Sequence, residues 1–236
     1  MVLLAMLVMI RLGIWQLDRL AERRAANAEL VAALAADPLT LTGDPLPGDV
    51  ADLQDRWATV SGEYDVAAQQ IIRLQDWQGI LGVNLVTPLR IEGSDTAVLV
   101  NRGWVPQTVY EAGELAQFDP TGPQTIRGQI ALSQPFYRYG DRSTEQNGLP
   151  NERYRIDIAE IQANLPYPVL PVYLLLAAPE DSPALPDALP YLVESDIDLS
   201  EGPHLSYALQ WFLFTITLAV IYLVLVVKKM DGKEPE

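Results

Sequence analysis

The chain has one histidine, His204, and no cysteine in 236 residues. Without cysteine, disulfides, thiolate zinc or copper sites and thiol redox chemistry are all excluded. Ser-His-Asp or Cys-His catalysis needs an accessible imidazole in a cleft. His204 instead stands in "EGPHLSYALQWFLF", residues 201–214, where a long apolar run begins. There is no G-x-S-x-G, no phosphate-binding G-x-x-x-x-G-K-[ST] and no G-x-G-x-x-G. "DIDLSEG" at 196–202 starts like a calcium loop, but Glu201 and Tyr207 occupy the positions that require Gly and Glu. It reads as an acidic approach to a helix, and the chain is expected not to be an enzyme.

Pro203 suits the first turn of a helix and Glu201 suits its positive end, so a helix is expected from Gly202-Pro203 onward. At about 100° per residue, His204, Ala208, Trp211, Thr215 and Tyr222 share one face. Leu213, Val220 and Val224 lie opposite. One side is polar, aromatic and small, as helix–helix contacts in membranes are, and the other is lipid-like. Trp15 and Gln16 are expected at the same membrane surface, with Arg19 one turn further out. His204 then admits two readings. It is an interfacial anchor beside Tyr207 and Trp211, or its imidazole is an axial haem ligand, with Tyr207 and Trp211 on the macrocycle and Arg19 or Arg23 near the propionates.

The elements that position these residues begin with two apolar segments. Leu205–Val227 is 23 residues without a charge, long enough at roughly 34 Å to cross a bilayer core. Lys228 and Lys229 follow at one end, and Tyr207, Trp211 and Phe212 mark the other. "MVLLAMLVMIRLGIWQL" supplies 17 residues interrupted by Arg11, the lower limit for a span. Nothing basic precedes it and no small-residue cleavage site closes it, so an uncleaved helix is expected rather than a signal peptide, one that a few more upstream residues would make an ordinary span. Basic residues tie across the two helix ends. A long domain translocates regardless of them, so the middle is placed outside and both tails in the cytoplasm.

Between the helices, Asp18 to Pro203 carry 28 Asp and Glu against 12 Arg, with no Lys. Such a surface disfavours nucleic acid and anionic headgroups. "AERRAANAELVAALAADP" continues helix one, and "TGDPLPGDV" breaks it. Short β-like segments follow at 56–64, 69–75, 81–92, 96–105, 124–132 and 168–178, the third and fourth forming a hairpin across Glu92–Asp95. Residues 154–165 read as a strand running into a short helix. Residues 138–154 read as a long polar loop, and 178–202 as an irregular linker. In "NRGW", Gly103 is expected to take a backbone conformation other residues resist, Trp104 to be core, and Arg102 to pair with an acid or meet a partner. The expected architecture is two transmembrane helices (1–17 and 204–227) flanking an α+β, β-rich extramembrane domain (18–203), an antiparallel barrel or curved sheet, with a tail at 228–236.

"LGIWQLDRL", "GVNLVTPL", "VLVNRGWVP" and "GPHLSYALQWFLF" occur in an order and spacing that resemble the Surfeit locus cytochrome oxidase assembly family. The resemblance covers nearly the whole chain. It implies a two-span protein of the bacterial plasma membrane, multi-pass, with its central domain extracytoplasmic. It implies an accessory factor for haem-copper (aa3-type) cytochrome c oxidase that aids insertion of haem a. The implied partners are oxidase subunit I and the haem a synthesis machinery. It also implies a haem-binding histidine in helix two, which His204 matches. The alternative is a scaffold that holds assembly intermediates and never touches haem.

Overall fold

The computed structural model describes residues 1–134, 151–178, 188–193 and 197–231. The chain divides into a helical unit, Met1–Val31 with Ile197–Glu236, and a second unit, Ala32–Asp196.

The second unit is built on eight strands: β1 (Leu39–Thr40), β2 (Trp57–Tyr64), β3 (Gln70–Trp77), β4 (Ile80–Ile91), β5 (Ala97–Pro106), β6 (Gln124–Leu132), β7 (Glu152–Arg153) and β8 (Val169–Leu176). Their order is β1-β2-β6-β8-β5-β4-β3-β7, and β2 also pairs with β4. That extra ladder, Gly62–Tyr64 against Leu89–Ile91, closes β2-β6-β8-β5-β4 into a five-stranded barrel. The long β4 makes closure possible, because its other end pairs with β3 instead. Alternate residues of all five strands fill the interior: Val60, Leu89, Val98, Val100, Ile130, Val172 and Leu174. A second cluster lies beneath the helix α3 named below, and a third packs with Tyr110, Leu115 and Phe118. β5 is therefore buried on both faces, which is why "AVLV" is apolar without alternation.

The hairpin and the strands at 57–64, 80–91, 97–106 and 124–132 lie where the sequence pattern places them. Two features differ. β8 runs antiparallel to β6 but parallel to β5, since the long connection from β5 through β6 lets the chain re-enter in the same direction. The strand expected at 154 is only β7, ahead of Tyr154. Asp157 caps Glu160 N–H at 3.2 Å, and the i,i+3 pair Ile158 and Ile161 docks on the barrel as the short helix α3, Ile158–Gln162 (α2 being Gln107–Glu111). The polar loop expected at 138–154 lies outside the described residues up to position 150. The expected linker does not run free throughout, because Tyr191 and Trp104 exchange backbone hydrogen bonds of 2.8 and 2.7 Å.

"NRGW" is a bulge. β4 advances from Asn84 to Val86 while β5 spans Asn101 to Trp104. Gly103 takes φ +124°, and a Cβ there would come 2.5 Å from the Tyr191 carbonyl oxygen. The bulge turns Arg102 to the side of Thr87 and Gln69. Its guanidinium donates to Thr87 Oγ1 at 2.8 Å, to the Phe118 carbonyl at 2.6 Å and to Gln69 Oε1, and it lies 3.8 Å from Asp119. Arg102 is thus structural, and Trp104 is core.

In the helical unit, α1 spans Val2–Ala35 and α4 spans His204–Asp231. The Ala-rich stretch after Arg19 does continue helix one. Among the described residues, α4 is the one helix long and apolar enough to cross a membrane, by length and composition, and almost none of it is buried. This helix ties the chain to a membrane. The expectation of two spans is met only in part. α1's apolar run is broken by Arg11 and closed by Asp18 and Arg19, short of the ~20 residues a span needs.

Candidate functional site

The less exposed residues of α1 include Met6, Met9, Gly13, Gln16, Leu20, Arg23 and Asn27. The alternating spacing of four and three is a heptad seam. α4 answers with His204, Ala208, Trp211 and Thr215, four residues of the face expected from sequence, while the fifth, Tyr222, is exposed, as are Leu213, Val220 and Val224. Contacts run from Gly13 with Phe212 through Gln16 with His204 to Arg23 with Asp198, so the helices are antiparallel. A Cβ on Gly13 would meet the Phe212 ring at 2.6 Å, and its absence lets the helices approach closely.

His204 is the first residue of α4 and is half-buried. Its Nδ1 lies 2.9 Å from Gln16 Oε1. Just before it, Gly202 has φ +66°, and a Cβ on Gly202 would sit 3.6 Å from His204 Nε2 and 3.5 Å from Cδ2. Both distances are ordinary van der Waals contacts, and Nε2 makes no hydrogen bond among the described residues. Trp211, one heptad on, is half-buried and edge-on to Phe214, with centroids 6.1 Å apart. Tyr207 is 47% exposed and lies off the seam. Arg19 does not turn toward His204. It pairs with Glu22 at 2.6 Å, with its guanidinium carbon 5.7 Å from the Trp15 ring centroid. Arg23 is also engaged, donating to Asp198 Oδ2 at 2.9 Å and to the carbonyls of Asp198 and Ser200. Of the residues grouped from sequence, His204 and Trp211 share the seam, while Tyr207 and Arg19 do not join them.

Around the start of α4 the acidic stretch is clamped. Arg24 donates twice to Glu201, at 2.8 and 2.9 Å, and Asn27 donates to the Leu199 carbonyl at 2.7 Å. The Arg24 bond and charge hold the Glu201 carboxyl below its ordinary pKa. Hydrogen bonds from Ser200, aided by Arg23, do the same for Asp198. Sequence reading found the acids and the arginines without pairing them. The i,i+3 and i,i+4 run Arg23, Arg24, Asn27 against an equally dense acidic turn was the available signal. Gln16 was placed at the right level, but its bond to His204 was not legible, because it depends on the rotation of both helices.

As a haem ligand set, the residues fit in one respect that the structure itself supplies: a single imidazole whose Nδ1 is hydrogen-bonded and whose Nε2 makes no hydrogen bond among the described residues. No group of three or more His, Cys, Asp or Glu suited to a metal ion occurs among the described residues.

The barrel unit holds a cavity of about 560 Å³, whose walls include Gln75, Asn84, Asn101, Gln134 and Tyr173. Asn84 Oδ1 is buried there without a hydrogen-bond partner. Asp55 and Ser133 also line it, and burial pushes the Tyr173 hydroxyl up to about 12.

Comparison with known proteins identifies the family. The SURF1 family model matches residues 3–216. A SURF1-like protein of Monosiga brevicollis is 26% identical over 224 residues, covering 89% of this chain and 80% of its own. A SURF1-like protein of Rickettsia felis is 27% identical over 226 residues, covering 94% of both chains. Surfeit locus protein 1 of Rattus norvegicus is 26% identical over 139 residues, covering 52% of this chain and 44% of its own. With the match spanning the paired helices and the barrel between them, the chain belongs to the SURF1 family.

Proposed function

We propose that this protein is a membrane-bound assembly factor for haem-copper (aa3-type) cytochrome c oxidase that holds haem a through His204 and passes it to oxidase subunit I. Family membership implies the role in cytochrome oxidase assembly. The haem step rests on one observation: His204 opens the apolar α4 with Nδ1 against Gln16 and with Nε2 making no hydrogen bond among the described residues. Haem supplies an iron that accepts an imidazole nitrogen and a flat apolar face. His204 would ligate it, and Trp211 with exposed Tyr207 would cover part of the macrocycle. A single protein ligand gives a site weak enough to release its cargo. In this reading the protein is not an enzyme, and its partners are subunit I and the haem a synthesis machinery.

The same reading has α1 cross the membrane beside α4. Its outward residues Leu3, Leu4, Leu7, Val8, Ile10 and Ile14 are apolar and exposed. Antiparallel packing puts the start of α1 and the lysines after α4 on one side, taken as cytoplasmic because a long domain translocates whatever the balance of basic residues. The acidic domain then lies outside a bacterial plasma membrane.

The test is visible absorption of detergent-purified protein co-expressed with haem a synthesis, for the wild type and His204→Ala. A haem a spectrum lost in the variant supports the carrier. A colourless wild type that still copurifies with subunit I supports the scaffold instead, with His204 an anchor of the seam.

A further inference from the structure

We infer that Gln16 is the positioning residue for His204: its side-chain oxygen selects the tautomer with hydrogen on Nδ1, so that Nε2 is the one ring nitrogen with a free lone pair. The inference rests on the haem-carrier reading for its purpose, but not for its geometry.

A neutral imidazole has one N–H and one lone pair, and whichever nitrogen is hydrogen-bonded to an acceptor must carry the hydrogen. Nδ1 faces Gln16 Oε1 at 2.9 Å, a normal hydrogen-bond length. A free imidazole side chain in water favours hydrogen on Nε2, which would blunt that atom as a ligand. Gln16 reverses the preference. The two residues come from different helices, and the bond sits in a half-buried stretch of seam where water competes poorly. Gly13 fixes the approach one turn away on α1, through its contact with Phe212, and Leu20 is buried one turn beyond on the other side. The register of the pair therefore sets the ring plane. Gly202, at φ +66° in the turn before α4, lies in ordinary van der Waals range of the Cδ2–Nε2 edge. α1 thus orients the ring through Nδ1, and Nε2 makes no hydrogen bond among the described residues.

The single histidine makes the test clean, because histidine-labelled protein gives one pair of ring 15N resonances. The protein is prepared in detergent without haem as wild type, Gln16→Leu, Gln16→Glu and His204→Ala, with far-UV circular dichroism to verify the helices. The wild type is expected to show hydrogen on Nδ1. Gln16→Leu loses the acceptor and should shift toward hydrogen on Nε2. Gln16→Glu can only accept and should keep the wild-type tautomer. Titration with haem a then reads the consequence. Gln16→Leu should bind about 10- to 100-fold more weakly, the usual cost of losing such an outer hydrogen bond, and Gln16→Glu should recover the loss. A wild-type ring with hydrogen on Nε2, or a tautomer unchanged in Gln16→Leu, overturns the inference. So does a folded Gln16→Leu protein that binds haem like the wild type while His204→Ala does not. If His204→Ala binds haem as well as the wild type, the carrier reading fails at His204. The haem-free spectra would then still decide whether Gln16 sets the tautomer.

Discussion

In the barrel unit, apolar side chains point inward, and the two arginines buried among the described residues enter accompanied. Arg102 is bound by Thr87, Gln69 and the Phe118 carbonyl, and Arg153 by Gln70 at 2.9 Å and Glu160 at 2.5 Å. In the helical unit the order is inverted. Gly13, Gln16 and His204 occupy the seam while Leu213, Ile216, Val220 and Leu223 face outward. The arginines of that unit, Arg11, Arg19, Arg23 and Arg24, sit in exposed pairs. The hydrophobic effect shapes the first unit because water surrounds it. Close packing and hydrogen bonds shape the second, whose outer face suits lipid.

This contrast is broken most directly at Trp104. It is 1% exposed, donates from Nε1 to the Gln75 carbonyl at 3.2 Å and stacks on Tyr191. Trp104→Ala should cost the barrel about 3–5 kcal/mol in urea unfolding followed by circular dichroism. Leu213→Ala, on the lipid-like face, should leave the fold unchanged, and an equal loss at both positions would abolish the distinction. Next comes Arg102→Leu. It strands buried acceptors that Arg102 now satisfies, and about 3 kcal/mol is expected. Arg24→Leu, in an exposed pair, should not move the unfolding midpoint measurably. Comparable effects would mean that burial does not separate the two kinds of arginine.

Gly13→Leu should push α1 from α4 at Phe212 and destabilise the pair by about 1–3 kcal/mol. Energy transfer between dyes on engineered cysteines, simple to place in a cysteine-free chain, reads that separation. An unchanged distance would show that the seam does not depend on this close approach.

pH sharpens the comparison with the smallest changes. Burial, opposed by Arg102, holds the Tyr64 hydroxyl up at about 12, and burial holds Tyr173 there too. A raised pKa contributes stability that is whole below the unfolded value near 10 and is lost as pH rises toward 12. The barrel should therefore weaken in alkali, with a late class in the tyrosine absorbance titration. Asp198 and Glu201 are depressed, so their contribution is present above the ordinary carboxylate range and disappears as pH falls through their folded values. Acid should free the turn before α4 to proteolysis while the barrel stays folded. Loss of both units at one end of the scale would contradict this assignment.

Much of the site was legible from residue types alone. The face His204, Ala208, Trp211, Thr215 followed from 100° steps, because an α-helix has one geometry and its pattern needs no partner to be read. Tyr207 and Arg19 were grouped with His204 on proximity along the chain and at the membrane surface. The structure parts them, because a residue three positions on lies some 60° round the helix, and because Arg19 has Glu22 within reach on its own helix.

By itself the sequence determined the apolar length of α4, the strand segments with their period of two, the β4–β5 hairpin and the uniqueness of His204. All are properties of a local stretch or of composition. Tertiary structure alone decided that β4 closes the barrel on β2, that β8 lies parallel to β5, that "NRGW" bulges and that Gln16 meets His204 across 188 positions of chain. Each of these joins residues far apart in sequence. The energy that selects such a pairing comes from burying both partners together, and no single segment carries it.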